Sequence, residues 1–452
     1  MDQFNYLIAA VLALVTFLVI KVSLKYVNST IEKFYIIFIS IFTFIYSGAG
    51  IAFEEVAKKY IFSYISFIIL LLLGMIIGFK LFNANKEYRF INSLTTSNRW
   101  IINLSTLLYW VIILVRLVYP NNRLSYLFNI SISVNDVFAN QIANRSNTVV
   151  YIMGLVLLVI RPFYYIFLYK MKSKYKAILL IVLEIYIGVV ISGYIGRSGL
   201  IVNVLMILFI FVFKKYNKKY NFNMVLKNKK VSLHENSNKK KEDIIMYKKF
   251  IKVFAIIIMI TIFFLPLLFD YQNMRLGVSA SNVNASEKIS ELLKIEFAFP
   301  KLYDEAELFS NSVSPINYFI WLFTLIIPKK LIAVNHIMLI NYDFTTFITG
   351  IQYGQSGFSV FLPSILGEGI MLYGTYFACL HGLVIGLISG MFCSFFRKSQ
   401  VLSLWNIYIL FQLLLMPRGG SQGTISGFIN GSILIMICAV MDVFIAERRN
   451  KA

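Results

Sequence analysis

Long apolar stretches alternate with short polar segments along almost the whole chain. Many of them run for about 17 to 25 residues, which is enough to cross about 30 Å of hydrocarbon at about 1.5 Å per residue. A backbone inside a membrane must satisfy its own hydrogen bonds, so each stretch is predicted to be a helix. The pattern predicts about eleven transmembrane helices (about 10–12), at residues 5–20, 34–52, 61–82, 100–119, 148–169, 177–195, 199–213, 250–269, 370–395, 402–416 and 424–446.

Composition supports an all-α polytopic membrane protein and excludes several other classes. Of the 452 residues, 59% are hydrophobic and 14% are charged, too few charges to cover a soluble fold of this size. The net charge of +22 lies mostly in loops between apolar runs, so nucleic acid is not expected as a partner. The chain contains no P-loop, dinucleotide fingerprint or zinc-ligand spacing, and its cysteines form no disulfide framework. No cofactor or metal is predicted.

The distribution of basic residues predicts the orientation, because lysine and arginine concentrate in cytoplasmic loops. Segment 214–249 contains twelve lysines and three acidic residues, and it is predicted to be a disordered cytoplasmic loop. Segment 270–316 contains seven acidic and four basic residues, which favours the outer side. Eleven crossings with the N-terminus outside and the basic C-terminal tail inside agree with every loop.

This topology divides the chain into three parts. Residues 1–269 carry membrane helices 1 to 8 with the basic loop, residues 270–369 form a large external region, and residues 370–452 carry helices 9 to 11 with the cytoplasmic tail. Within the external region, 285–298 is predicted to be an amphipathic helix, and 317–333 a helix that lies in or dips into the outer interface.

Two membrane helices carry glycine at every fourth position, a pattern that lets two backbones approach closely. We expect these two helices to contact one another or a common neighbour, and a packing role is favoured over a ligand role. The stripes are Gly382, Gly386 and Gly390 in one helix and Gly423, Gly427 and Gly431 in the other.

Arg161 and Glu184 are charges deep within adjacent antiparallel helices. Counted from the shared inner loop, their depths agree within about 2 Å. An unpaired charge at that depth is costly, so an ion pair is predicted, with a structural role favoured over a proton or substrate pathway.

Four arginines lie near the predicted outer ends of helices. Two of them, Arg197 and Arg418, lie in glycine-rich turns whose free N–H groups, together with a helix N-terminus, favour anions. Arginine adds a planar fork that matches phosphate oxygens, whereas the alternative is snorkelling near lipid headgroups. The four are Arg116, Arg197, Arg275 and Arg418.

Few groups outside the membrane are candidates for acid–base chemistry. The external carboxylates named by the topology are Asp304, Glu305, Glu307, Asp343 and Glu368. Of the three histidines, only His336 is placed outside, and it is carried as a candidate base although a surface role is the commoner one. His381 is expected to open the helix that contains Gly382 and to cap or pack there.

A segment after the external region resembles a known signature. Residues 363–374, with Ser364, Gly367, Glu368, Tyr373 and Gly374, resemble the Ser-x-x-Gly-Glu and aromatic-Gly signature of Wzy-type O-antigen and capsular polysaccharide repeat-unit polymerases. The turn at 196–200 resembles the arginine-bearing helix start of that family, and Ile327-Pro328-Lys329-Lys330 resembles its Pro-basic element. Gly369-Ile370-Met371 departs from the pattern, where an aromatic residue and asparagine are common.

The resemblance implies a GT-C-like polymerase/ligase architecture and a membrane glycosyltransferase activity. The implied substrate is an oligosaccharide on undecaprenyl diphosphate at the outer face of a bacterial cytoplasmic (inner) membrane, facing the periplasm or exterior. The enzyme would transfer the growing glycan to the non-reducing end of the next unit, and a chain-length regulator protein is an implied partner. It would bind the diphosphate through Arg197, Arg275, Arg418 and Arg116, with Glu368 as first and His336 as second candidate base.

Aromatic residues of the external region are candidates for a sugar groove, with interfacial anchoring as an equal alternative. They are Tyr342, Tyr353 and Phe358, with Phe344, Phe347 and Phe361 beside them. Two related activities remain open: a flippase for the same lipid-linked units, and an O-antigen ligase. A non-enzymatic scaffold would leave the arginines in glycine-rich turns without a task.

Overall fold

The computed structural model describes residues 3–27, 30–81, 99–128, 147–192 without 172, 297–324, 339–396 without 353, 354, 356, 357 and 359, residue 413, and residues 415–429. Within these ranges the chain forms helices and turns and no strand. Four helices are long and apolar enough to cross a membrane: Phe4–Tyr26, Tyr35–Phe53, Val56–Leu81 and Ser364–Ser394. The all-α membrane class is thus shown, whereas eleven crossings and their orientation stay predictions.

The described helices match the apolar pattern closely in the first part of the chain. The α-helices are α1 Gln3–Ser23, α2 Thr30–Thr43, α3 Ala49–Phe53, α4 Ile61–Leu81, α5 Arg99–Val118, α6 Thr148–Lys170, α7 Lys174–Ser192, α8 Tyr303–Ser310, α9 Pro315–Thr324, α10 Ile340–Thr349 and α11 Ser364–Phe396. A π-helical turn, Phe44–Gly48, joins α2 to α3, where one helix was predicted. The helices predicted at 199–213 and 250–269 lie outside the described residues, and those at 285–298, 402–416 and 424–446 lie there in part.

The chain forms two compact units, one of residues 1–96 with 291–452 and one of residues 97–290. In the second unit, α5, α6 and α7 are the described helices. The side chain of Asn147 caps α6 by accepting hydrogen bonds from the backbone N–H groups of Val149 and Val150. The signature segment lies in the first unit.

The centre of the first unit is a close contact between α4 and α11. A Cβ on Gly386 would overlap the carbonyl oxygen of Leu71, and one on Gly78 would overlap that of Leu387. Contacting positions increase together along both helices, from Ser63 with Thr375 to Phe79 with Ser394, so α4 and this part of α11 run parallel. The predicted topology requires both helices to enter from the same side, and parallel packing meets that requirement.

α11 is not the straight helix predicted at 370–395. Gly374, with φ 71° and ψ 175°, interrupts it. Glu368 Oε2 and His381 Nε2 are 3.5 Å apart although thirteen residues separate them, a distance of about 20 Å along a straight helix. The chain therefore folds back at Gly374, which allows a backbone angle that other residues rarely adopt. We call residues 364–396 the Gly374 hairpin, with a first arm (364–373) and a second arm (375–396).

Three short helices pack around this hairpin. In α9, Tyr318 and Trp321 are buried. Residues 325–338 lie outside the described part, so the placement of 317–333 in the outer interface stays a prediction. Phe344 in α10 is buried against Phe309 in α8, 5.5 Å between ring centroids, and so belongs to the core and not to a sugar groove.

The two glycine stripes differ in their packing. Gly382, Gly386 and Gly390 all face the backbone of α4, which confirms the close approach expected of this stripe. Among the described residues, no atom lies within 4 Å of a Cβ added to Gly423, so this glycine makes no such approach to them. The two helices do contact one another, but through the rings of Phe392 and Phe428, 5.5 Å apart. The first stripe is therefore a packing surface, whereas Gly423 of the second stripe is not part of one among the described residues.

Gly386→Ala should destabilise the protein, because the added methyl group overlaps the Leu71 carbonyl and forces α4 and the second arm apart. Overpacking of this kind costs about 1–3 kcal/mol. The measurement is the melting temperature of the purified protein in detergent.

Gly423→Ala is the matched control, since it adds the same group in open space and raises helix propensity. Equal melting temperatures for the two variants would contradict the assignment of the first stripe as the packing surface.

Candidate functional site

Ser364 fixes the start of the Gly374 hairpin. Its φ of 75° lies in the left-handed region, which is unusual for a residue with a side chain. Its hydroxyl lies 2.9 Å from the Tyr303 hydroxyl and 3.0 Å from the Ser47 hydroxyl, and it accepts from the Gly367 N–H at 3.4 Å. The serine and first glycine of the signature therefore set where the helix begins and leave Glu368 one turn further on.

Glu368 is completely buried, with 0% of its surface exposed, although the sequence placed it among the external carboxylates. Its Oε2 accepts a hydrogen bond from the backbone N–H of Ser421, and its Oε1 accepts one from the Ser421 hydroxyl at 2.9 Å. Glu368 is therefore not on the protein surface, and its assignment to the outer side of the membrane stays a prediction.

A broken helix carries Ser421 to this carboxylate. Residues 415–419 are helical, Gly420 interrupts them with φ 82°, and residues 421–429 form a new helix. The Gly420 N–H donates to the Met416 carbonyl at 2.9 Å, an arrangement typical of a glycine that ends a helix. The glycine-rich turn does precede a helix N-terminus, as the sequence indicated, and Glu368 is the anion that this N-terminus binds in the structure.

Other residues hold the turn from the opposite side. The Asn341 side chain donates to the Gly419 carbonyl at 3.0 Å, and the Gln422 side chain accepts from the Ile340 N–H. The Tyr318 hydroxyl lies 2.9 Å from that of Ser421. Arg418, in this turn, is half-buried, with its guanidinium carbon 5.9 Å from the centre of the Phe299 ring. We call residues 417–421 the Arg418 turn.

His381 completes the buried cluster. It has 0% exposure, and the rings of Tyr318 and Tyr373 lie 5.5 and 6.1 Å from it. It lies six residues after Thr375, about 9 Å along the second arm, so it does not open the helix as expected. Among the described residues neither ring nitrogen has a hydrogen-bond partner, and a buried polar atom in that state costs about 1–3 kcal/mol.

A cluster of charged and polar side chains lies at the tip of the Gly374 hairpin. Lys59 Nζ lies 3.2 Å from Asp304 and 3.3 Å from Glu307, and the Tyr60 hydroxyl donates to both carboxylates. The Thr375 hydroxyl donates to Glu307 at 2.6 Å. These hydrogen bonds, that from Thr375 first, lower the pKa of the Glu307 carboxyl, whereas burial raises it to a smaller extent. Two of the carboxylates that the sequence named thus connect α8 to the turn that directly precedes α4 and to α11.

The remaining sequence candidates fall in different places. Tyr342 and Phe358 contact edge to face at 5.7 Å, and burial raises the pKa of the Asp343 carboxyl on the same helix. Phe347 and Phe361 are part-exposed, at 49% and 37%. Four candidates lie outside the described residues: Arg197, Arg275, His336 and Tyr353. Within the described ranges no group of three histidine, cysteine or acidic residues is placed to hold a metal ion.

The second unit brings Arg161 and Glu184 together, with Arg161 Nη2 3.9 Å from Glu184 Oε1. The Tyr109 hydroxyl, which the sequence analysis missed, donates to the same oxygen and accepts from Arg161 Nε at 3.4 Å. Arg116 lies close enough to Arg161 for charge repulsion, and its buried Nε has no partner among the described residues. Whether the pair is purely structural stays a prediction.

The buried cluster brings together residues that are far apart in sequence. Only Glu368 and Arg418 were predicted from local motifs, whereas Tyr318, Asn341, His381 and Ser421 join them through the fold. Ser421 had a sequence signal, since serine directly after two glycines is a common helix start. No family model matches the chain, and no curated protein and no solved structure matches it either.

Glu307→Gln should lower the melting temperature at pH 7 by about 1–3 °C, because it removes the charge that accepts from Thr375, Tyr60 and Lys59. A carboxyl whose pKa is lowered on folding stabilises the protein above its ordinary pKa of 4.5 and loses that effect as the pH falls through the folded value. The difference between variant and wild type should therefore shrink below about pH 4.5.

Glu55→Gln is the control, because the Glu55 side chain is 93% exposed. A Glu307 effect that is independent of pH, or that Glu55→Gln reproduces, would contradict the assignment.

Arg161→Glu should prevent accumulation of folded protein, since leaving Glu184 beside a second carboxylate in a buried site costs about 3–5 kcal/mol. Arg161→Glu combined with Glu184→Arg should restore part of the yield. The measurement is the monodisperse fraction after detergent extraction. Tyr109→Phe, made in the wild-type protein, should also lower the yield. If the charge reversal restores no yield and Tyr109→Phe has no effect, the pair is not structural.

Proposed function

We propose that this protein is a polymerase of lipid-linked oligosaccharide repeat units. It transfers the growing glycan from undecaprenyl diphosphate to the non-reducing end of the next unit, at the outer face of the cytoplasmic membrane. The proposal rests on the resemblance of residues 363–374 to the polymerase signature and on the site that this segment forms.

The observation that carries the proposal is the contact between the signature carboxylate and the Arg418 turn. Glu368 binds the N–H and hydroxyl of Ser421, so the two motifs chosen separately from the sequence meet in one cluster. The cluster lies about 9 Å below Thr375 along the second arm, beneath the hairpin tip. A site at that depth suits a substrate whose lipid lies in the membrane and whose sugars lie outside it.

The proposed reaction places its main electrostatic demand on the diphosphate. The acceptor hydroxyl oxygen attacks the anomeric carbon of the donor sugar, and a new carbon–oxygen bond forms. The bond from that carbon to the diphosphate oxygen breaks, the electron pair leaves with the diphosphate, and the hydroxyl proton passes to a base. Charge that develops on the leaving group is best stabilised by fixed donors, and arginine forks match phosphate oxygens. Arg418 takes that role here, with Arg116, Arg197 and Arg275 as further candidates.

Several residues are candidates for the base that accepts the hydroxyl proton. His336 and Tyr353 lie outside the described residues, and Tyr342 with Phe358 remain candidates for the sugar groove. Glu368 is present but buried. Asp343, with a raised pKa and one position from Tyr342, joins the candidates because a base near neutral pH needs such a shift.

Transport is the second candidate function, and two observations favour it. Discontinuous helices and buried ionisable residues are common in secondary transporters, and the chain breaks at Gly374 and Gly420 around Glu368 and His381. A flippase for the same lipid-linked units would use the same anion contacts. Internal repeats, which transporters usually show, are missing from the sequence.

A deletion strain distinguishes the activities by where glycan accumulates. We expect single repeat units at the cell surface instead of long polymer, with lipid-linked units on the outer face. Polymer left unattached would instead indicate a ligase, and lipid-linked units retained in the cytoplasm would indicate a flippase.

Arg418→Ala, expressed at the wild-type level in that strain, should reduce polymer formation about 100-fold or more, as the loss of one charge-stabilising donor typically does. Arg418→Lys should restore only part, because an ammonium lacks the fork. Arg197→Ala should also lose polymer.

Lys301→Ala is the control for loss of a positive charge, since Lys301 is 60% exposed and pairs with Glu54. Long polymer in the Arg418→Ala strain would exclude Arg418 from the site.

A further inference from the structure

We propose that Glu368 is a positioning residue that holds the Arg418 turn in place, and that it is not the base of the reaction. This inference rests on the proposed polymerase function for its kinetic part. Its structural part, the hold on the turn, can be measured without any assumption about activity.

Both carboxylate oxygens of Glu368 already accept hydrogen bonds inside the protein, and neither is open to a sugar hydroxyl from outside. Oε1 accepts from the Ser421 hydroxyl, and Oε2 accepts from the Ser421 N–H and lies 3.5 Å from His381 Nε2. The side chain has no exposed surface. A base must lie within hydrogen-bond reach of the proton that it takes, directly or through one water. Because Glu368 is fully buried, the residues packed around it, among them the Arg418 turn, would have to move before a sugar hydroxyl could reach it.

The same contacts decide where Arg418 lies. Gly420 packs so closely against Glu368 that a Cβ there would lie 2.9 Å from Oε2 and 3.3 Å from the Asn341 amide nitrogen. Asn341 binds the Gly419 carbonyl from α10. The turn is therefore held between two side chains, and Arg418 lies two residues before Gly420. A rigid turn matters because a small displacement of a charge-stabilising group can cost about 100-fold in rate.

Glutamine can replace Glu368 in this network and keep both contacts with Ser421, although the Tyr318 hydroxyl proton then loses Ser421 as its acceptor. Its carbonyl oxygen can take the place of Oε2 and accept from the Ser421 N–H, while its NH₂ donates to the Ser421 hydroxyl. That hydroxyl can then donate to Tyr318, which lies 2.9 Å away. The glutamine side chain has the shape of glutamate but no basicity, so Glu368→Gln separates positioning from proton transfer. Glu368→Ala removes both.

The kinetic experiment uses purified protein and lipid-linked units extracted from the deletion strain. We expect Glu368→Gln to keep kcat within about tenfold of wild type, and Glu368→Ala to lose about 100-fold or more. A base at this position would instead make Glu368→Gln lose about 100- to 10,000-fold, as badly as alanine. That outcome would overturn the inference.

Gly420→Ala provides a second variant that leaves Glu368 itself unchanged. Its methyl group would push against Oε2 and strain a backbone at φ 82°, so it should resemble Glu368→Ala. Gly350→Ala is the matched control: it introduces the same strain at φ 70°, with no atom within 4 Å of the new methyl group. Wild-type kinetics for Gly420→Ala would contradict a positioning role.

The readout that is independent of activity is maleimide labelling of Gly419→Cys, a position in the turn with open space for a side chain. The parent has Cys379, Cys393 and Cys438 replaced by serine. We expect Glu368→Gln to leave the labelling rate unchanged and Glu368→Ala or Gly420→Ala to change it at least about threefold.

The two readouts separate failure of the inference from failure of the proposed function. Unchanged labelling in Glu368→Ala would show that Glu368 does not hold the turn, whatever the protein does. If labelling changes in Glu368→Ala but the deletion strain still makes polymer, Glu368 holds the Arg418 turn and the protein is not the polymerase. Normal labelling with lost activity in Glu368→Gln would keep the polymerase and make Glu368 the base.

Discussion

A buried carboxylate has to be met by hydrogen-bond donors, and much of the first unit is arranged around that requirement at Glu368. The donors come from Ser421, at the first residue of a helix whose free N–H groups favour negative charge. To bring the two together, the chain folds back at Gly374 and breaks at Gly420. Both breaks use positive φ angles that glycine adopts without steric cost. The hairpin and the broken helix are therefore consequences of the same contact.

The long helices could be predicted from the sequence because a membrane imposes a minimum apolar length, which α1, α4 and the start of α6 show plainly. The Gly374 hairpin could not be, since hydropathy is the same for a helix that continues and for one that folds back. For the same reason, the burial of Glu368 had no signal in the sequence. Gly386 and Gly423 show the same limit: both lie in stripes of identical spacing, yet among the described residues Gly386 meets the backbone of another helix and Gly423 does not.

Two residues of the site could be identified from the sequence, but not the residues that bring them together. Glu368 and Arg418 stood out because a carboxylate and an arginine are rare beside apolar runs. Tyr318, Asn341 and His381 did not stand out, because a single polar residue in an apolar or interfacial helix is common and its neighbours depend on tertiary structure. Arg161 and Glu184 were easier, since helix rise alone placed them at equal depth, but the Tyr109 hydroxyl between them had no sequence signal.

The parallel contact between α4 and the second arm also limits how this protein can move. Where backbone lies against backbone, as at Gly386 with Leu71 and Gly78 with Leu387, no rotamer change can absorb a sliding motion. The pair would shift only by separating or by jumping a whole turn, about 5.4 Å. A conformational change within the first unit would then leave this pair fixed. Its hinges would be the glycines at 374 and 420, on either side of the buried carboxylate.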